Sequence, residues 1–163
     1  MTSRIESSPG YVPLPGLLDV VKEAMLGEFR EELMATGYAD IRPTHGCVFR
    51  FVRGEGMRLT ELAGLAGMTK QSVGELIDDL VALGYVERIP DPADRRAKLI
   101  CLTERGKHAQ GVGFGLFAQV EERWAERYGP ERIAELRAFL EELAAKEAPE
   151  AVPELARREL AKA

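Results

Sequence analysis

The stretch from Leu59 to Gly106 constrains the fold of this chain more than any other. It contains two short helical patterns joined by a glycine, then two β-type runs joined by a polar, arginine-bearing loop. Thr60 is the expected N-cap of the first helix, with Glu61 in the opening turn where the helix dipole favours an acid. Leu62, Ala63 and Ala66 supply its apolar face, and Gly67 closes it into a tight turn. Thr69 then caps a second helix over about 70–83, with Val73, Leu76, Ile77, Leu80 and Leu83 inward at helical spacing. Gly84 ends it.

Tyr85, Val86 and Ile89 read as one strand, and Leu99, Ile100 and Leu102 as the next. Pro90 and Pro92 stop the first, and the loop Asp91–Ala97 joins the two into a hairpin with a basic tip. Helix, turn, helix and hairpin in this order make a winged helix-turn-helix. The expected fold class is mainly α with a small antiparallel β wing, an α+β fold.

Long helices flank this unit. Leu18, Val21, Met25, Phe29 and Leu33 share one face of a first helix at about 15–36, behind a polar arm containing Pro9, Gly10 and Pro13. Pro43 opens a short second helix with Val48, Phe49 and Val52 on one side, ended by Gly54 and Gly56. After the hairpin, Thr103 and Glu104 open a long helix to about 128 with the stripe Val112, Leu116, Val120 and Trp124. Gly111, Gly113 and Gly115 interrupt its propensity at about 1 kcal/mol each, and are expected to permit a close helix approach or a bend. Gly129-Pro130 breaks the chain before a last long helix, about 131–146, with Ile133, Leu136, Phe139, Leu140 and Leu143. A short tail helix is expected at 154–161.

Composition limits what such a chain does. Hydrophobic residues make up 45% and charged residues 30%, enough for a core and a solvated surface. The net charge of −5 is unusual for a nucleic-acid reader, but its distribution is uneven. Asp94 to Lys107 holds five basic and two acidic residues, whereas Ala118 to the end holds eleven acidic and eight basic. The hairpin is therefore locally positive. The opening residues MTSRIESSPGYVPLPG lack the apolar segment of a signal peptide, and no apolar run approaches the ~18 residues that span a bilayer, so a cytoplasmic protein is expected.

A helix-turn-helix lays its second helix in the DNA major groove. With Val73, Leu76, Ile77 and Leu80 inward, Lys70, Gln71, Gly74, Glu75 and Asp78 face out. Gln71 suits adenine, and Lys70 a guanine or a phosphate. The helix-start amides, with Thr69 and Ser72, suit a phosphate, and Gly74 lets the backbone approach the duplex. Arg95 and Arg96 on the projecting loop suit a narrow minor groove, with Asp94 expected to hold the Arg96 guanidinium.

These segments together resemble the MarR family of winged helix-turn-helix transcriptional regulators. The resemblance rests on LTELA at 59–63, LIDDLVALGYVER at 76–88, DPADRRAKL at 91–99 and LTERG at 102–106, in the family's order and spacing. It implies a homodimer built through N- and C-terminal helices, on double-stranded DNA. Lys70 to Glu75 would lie in the major groove, with Asp94 and Arg96 as the wing pair. It also implies a repressor that responds to a small, often phenolic or anionic effector. The resulting division is an arm (1–14), an N-terminal dimerisation helix (15–42), the winged unit (43–106), and C-terminal dimerisation helices with a tail (107–163).

The chain departs from the family pattern in the second helix of the motif. A hydroxyl residue followed by arginine is common where this chain has Gly74 and Glu75, and Asp79 is another often-basic place. A glutamate can still accept from cytosine N4, and fewer neutralised phosphates predict weaker non-specific binding. Together with the negative charge, Glu75, Asp78 and Asp79 motivate an alternative: a protein-interaction module without sequence-specific DNA binding.

Other candidates are slight. Cys47 and Cys101 read as small apolar residues rather than a disulfide or a redox sensor. His45, His108 and Cys47 lack compact zinc spacing, so neither metal nor cofactor is expected. His45 with Phe49 is a candidate effector-pocket pair. No nucleophile motif, phosphate-binding glycine loop or catalytic cluster points to an enzyme.

Overall fold

The computed structural model describes residues 11–149. The expected arm up to residue 10 and the tail helix at 154–161 lie outside the described residues. Helix α1 (Leu14–Met34) leads through a 3-10 turn (Pro43–His45) into α2 (Gly46–Phe51). Strand β1 (Met57–Arg58) precedes α3 (Leu59–Ala66) and α4 (Lys70–Ala82). The wing is β2 (Val86–Pro90) with β3 (Lys98–Leu102), followed by α5 (Glu104–Tyr128) and α6 (Pro130–Glu147). The expected architecture holds: a helical protein with a small antiparallel sheet.

Local chemistry explains most boundaries. Thr69 caps α4 by accepting the Ser72 amide at 3.1 Å, and Thr103 caps α5 by accepting the Gly106 amide at 3.1 Å. Gly67 ends α3 in the left-handed region at φ 62°. The cap of α3 differs from expectation: it is Arg58, without a side-chain bond, and Thr60 lies inside the helix. The reason is β1. Met57 and Arg58 pair with Ile100 and Leu99, so the chain is extended up to the residue where α3 begins. The sheet order is β1-β3-β2, which makes β2 an edge strand. Pro90 therefore ends β2 opposite Lys98 without removing a needed ladder donor.

The core lies inside the winged unit. Val48, Val52, Leu62, Val73, Ile77, Leu80, Tyr85 and Ile100 are among its fully or almost fully buried members. Leu76, Leu83 and Ala66, expected inside, are only partly buried. Gly106 is required by packing: a Cβ there would stand 2.0 Å from the Tyr85 carbonyl oxygen. That carbonyl also accepts the Thr103 amide at 3.0 Å, so α5 starts hard against the entry to β2.

The flanking helices bury far less. α1 packs on α5 through stacked Phe29 and Phe117 rings, 4.0 Å apart. Glu28 accepts from Trp124 Nε1 at 2.9 Å and from Arg127 at 3.1 Å. The Trp124 bond is the first cause holding the Glu28 carboxyl below its ordinary pKa. α6 has no buried residue. Leu136, Phe139, Leu140 and Leu143 on α6, with Leu14, Leu17, Leu18 and Val21 on α1, stand exposed. The three α5 glycines sit in an unbroken helix, and a Cβ on any of them would meet nothing within 4 Å. They serve no close approach among the described residues.

Candidate nucleic-acid interface

The candidate reading face begins at the exposed first turn of α4. Thr69, Lys70 and Gln71 are exposed, and Ser72 is partly buried. The Thr69 hydroxyl is occupied by the Ser72 amide and lies 2.9 Å from the Ser72 hydroxyl. The cap thus consumes one of the amides expected for a phosphate. One turn on, Gln71 Nε2 donates to Glu75 Oε1 at 3.3 Å. Between them Gly74 leaves the helix surface low. A Cβ at Gly74 would meet only Leu59 Cδ1, at an ordinary 3.9 Å.

The two aspartates of α4 are neutralised within the fold. Asp78 pairs with Arg88 of β2 at 2.7 Å. Asp79 contacts the Arg42 guanidinium and lies 2.7 Å from His45 Nε2. The Arg42 amide donates to His45 Nδ1 at 3.1 Å, so Nδ1 accepts and Nε2 carries the proton toward Asp79. Burial is the main cause that lowers the His45 pKa, against the opposing pull of the Asp79 hydrogen bond. The His45 bond is in turn the main cause that lowers the pKa of Asp79. This triangle ties the start of α2 to the recognition helix. The position that looks unfavourable for DNA is thus a structural fastening.

The wing is shaped by an aspartate that sequence reasoning did not single out. Asp91 is 6% exposed. Its carboxylate accepts from Arg58 Nε at 2.7 Å and from the Ala93 amide at 2.8 Å. Its backbone brackets the loop: the Asp91 amide donates to Ala97 O at 3.1 Å, and Asp91 O accepts the Asp94 amide at 3.2 Å. The Ala93 amide and then Arg58 hold its carboxyl below the ordinary carboxylate range. Asp94 also differs from expectation. Its Oδ1 takes the backbone amide of Arg96 at 3.0 Å, not the guanidinium. The carboxylate shapes the turn, and the exposed Arg95 and Arg96 are left without a carboxylate partner among the described residues. A Pro-Asp-type turn signal at Pro90-Asp91 was present, but only the Arg58 contact, 33 residues away, reveals the anchoring.

His45 and Phe49 are each engaged within the fold. His45 is fully buried, with both ring nitrogens engaged by its own protein partners. Phe49 packs edge-on against Tyr85 with centroids 5.8 Å apart. An open, largely apolar cleft lies elsewhere, lined by Val21, Met25, Trp124, Tyr128, Leu136 and Leu140. Cys47 and Cys101 are free thiols; burial raises both pKa values, which disfavours the reactive thiolate. No group of three or more metal-ligating side chains converges among the described residues, and no helix there is long and apolar enough to cross a membrane.

A short helix, a left-handed glycine turn, an outward-facing second helix and an arginine-tipped hairpin define a winged helix-turn-helix of the DNA-reading class. Residues 39–97 match the model of the MarR family. A MarR-family transcriptional regulator from Rhodococcus sp. RHA1 is 25% identical, with a TM-score of 0.63 over 81% of this chain and 94% of that one. CouR from Rhodococcus jostii RHA1, solved bound to p-coumaroyl-CoA, is 27% identical, with a TM-score of 0.64 over 81% of this chain and 92% of that one. Apo MarR from E. coli shares the fold at 24% identity, with a TM-score of 0.69 over 82% and 98% of the two chains. No curated protein matches significantly. The matched segment is thus similar to the MarR family, and the solved structures that this chain resembles include transcriptional regulators of that family.

Proposed function

We propose that this protein is a homodimeric, effector-responsive repressor acting in the cytoplasm on a pseudo-palindromic operator. Segments 15–42 and 107–163 pair two copies, and 43–106 reads the DNA. The first turn of α4, from Thr69 to Glu75, enters the major groove, while Arg95 and Arg96 reach the minor groove. The observation that carries this reading is the distribution of unpaired charge. Lys70, Arg95 and Arg96 stand exposed without carboxylate partners among the described residues, while Asp78 and Asp79 are matched by Arg88 and Arg42. The same matching counts against a protein-interaction module, since two of the three acids that motivated it are internally neutralised.

The dimer reading rests on the exposed apolar faces of α1 and α6, which a second copy would cover. The effector reading rests on likeness to CouR, a relative solved with an acyl-CoA ligand; an anionic aromatic ligand is the first class to test. The experiment is a mobility-shift titration against DNA upstream of the protein's own gene. A specific, salt-sensitive shift with dimer stoichiometry is expected. The absence of any specific shift at upstream DNA refutes the regulator reading.

A further inference from the structure

The outer surface of α4 carries three acids, and the fold treats them unequally. Asp78 is held by Arg88, and Asp79 by Arg42 and His45. Glu75 meets no cation among the described residues; its side-chain partner is the Gln71 amide one turn earlier, Nε2 to Oε1 at 3.3 Å. That bond orients both side chains. The Gln71 nitrogen gives one of its two hydrogens to Glu75, which leaves its carbonyl oxygen free to accept. The second Glu75 carboxylate oxygen has no hydrogen-bond partner among the described residues. The pair therefore offers two free acceptor oxygens and one free amide hydrogen, above Gly74.

A carboxylate in the major groove has few partners. Phosphates repel it, and guanine and the thymine oxygen present acceptors; only the amino groups of cytosine and adenine donate. Adenine sets its N7 acceptor beside its amino group, which opposes a carboxylate, whereas cytosine N4 has no neighbouring acceptor on its own edge. We propose that Gln71 and Glu75 act as one specificity-determining pair, with Glu75 accepting the N4 amino group of a cytosine in each half-site and the Gln71 carbonyl facing an adjacent amino group. This rests on α4 occupying the major groove.

Selection of bound duplexes from a randomised pool by the full-length protein tests it, using the wild type, Glu75→Ala, Glu75→Gln and Gln71→Ala. The wild type enriches a C·G pair at one position of each half-site. Glu75→Ala loses that preference by about fivefold or more and binds the pool more tightly overall, because an anion has left the phosphate field. Glu75→Gln moves the position toward adenine, which an amide contacts through N6 and N7. Gln71→Ala keeps the cytosine and relaxes the neighbouring position. If Glu75→Ala binds more tightly but enriches the same sequence as the wild type, Glu75 only solvates the helix and the pairing is overturned. If the wild type enriches no sequence at all, the groove reading itself fails and this inference falls with it.

Discussion

Gly74 and Gly106 both lie in helices, and the same Gly→Ala change is expected to act on them with opposite sign. Glycine inside a helix costs about 1 kcal/mol relative to alanine. At Gly74 the added methyl meets only the tip of Leu59 at 3.9 Å, an ordinary contact, so the protein itself has no packing need for glycine there. Gly74→Ala should stabilise the fold by up to about 1 kcal/mol, a rise of about 2–4 °C in Tm for a chain of this size. The same methyl would stand between α4 and the floor of the groove. Operator affinity should fall by about tenfold or more, near 1.4 kcal/mol. Thermal unfolding and fluorescence anisotropy on labelled operator DNA read the two effects separately. Gly106→Ala is the control, because its methyl would lie 2.0 Å from a backbone oxygen; overpacking there should cost about 1–3 kcal/mol. If Gly74→Ala is more stable and binds DNA unchanged, the close approach is wrong. If it is less stable, the reading of its surroundings is wrong.

Arg96→Ala removes an exposed cation while keeping the backbone amide that Asp94 accepts; binding should weaken with a shallower salt dependence and an unchanged Tm, and unchanged affinity refutes the minor-groove role. Ile77→Ala empties a fully buried site and should cost about 2–5 kcal/mol in urea unfolding. Leu140→Lys on the exposed face of α6 should shift the protein from dimer to monomer in sedimentation while leaving the winged unit folded; an unshifted dimer places the interface elsewhere. His45 resists protonation in the fold, its pKa lying below the ordinary 6.5. The unfolded chain therefore binds the proton first, so stability is flat above about pH 6.5 and declines below it, until the folded His45 also titrates. His45→Gln should remove that slope, and a wild-type protein without it would contradict the buried neutral ring.

The expectations that held depend on local periodicity or punctuation. Thr69, Gly67 and the stripe through Val73, Ile77 and Leu80 locate the turn and α4 within a residue or so, because capping and amphipathicity are properties of a few neighbouring residues. Most of the failures depend on partners distant in sequence. β1 is two residues long and exists only because β3 offers an edge. Asp91 looks like an ordinary loop aspartate until Arg58 reaches it. His45 looks like a pocket residue because its burial against α4 leaves no trace near Pro43. Asp94 is the local exception: its carboxylate takes the Arg96 backbone amide two residues on rather than the guanidinium, the usual competition between Asx turns and side-chain ion pairs.

Net charge misled for a related reason. A count of acids treats every carboxylate as equal, but in α4 the fold distinguishes them by what lies opposite. Arg88 is supplied by the wing and Arg42 by the loop before α2, so the elements that build the winged unit also cancel two negative charges on its reading helix. Removing Arg42 would do more than lose a surface ion pair. It would leave Asp79 with a neutral histidine as its remaining side-chain partner, on the helix proposed to approach a polyanion. The acids of this helix are thus compatible with a DNA reader as long as the arginines stay in place. Glu75, which has no such arginine among the described residues, is the acid that the proposed reading leaves to meet a base.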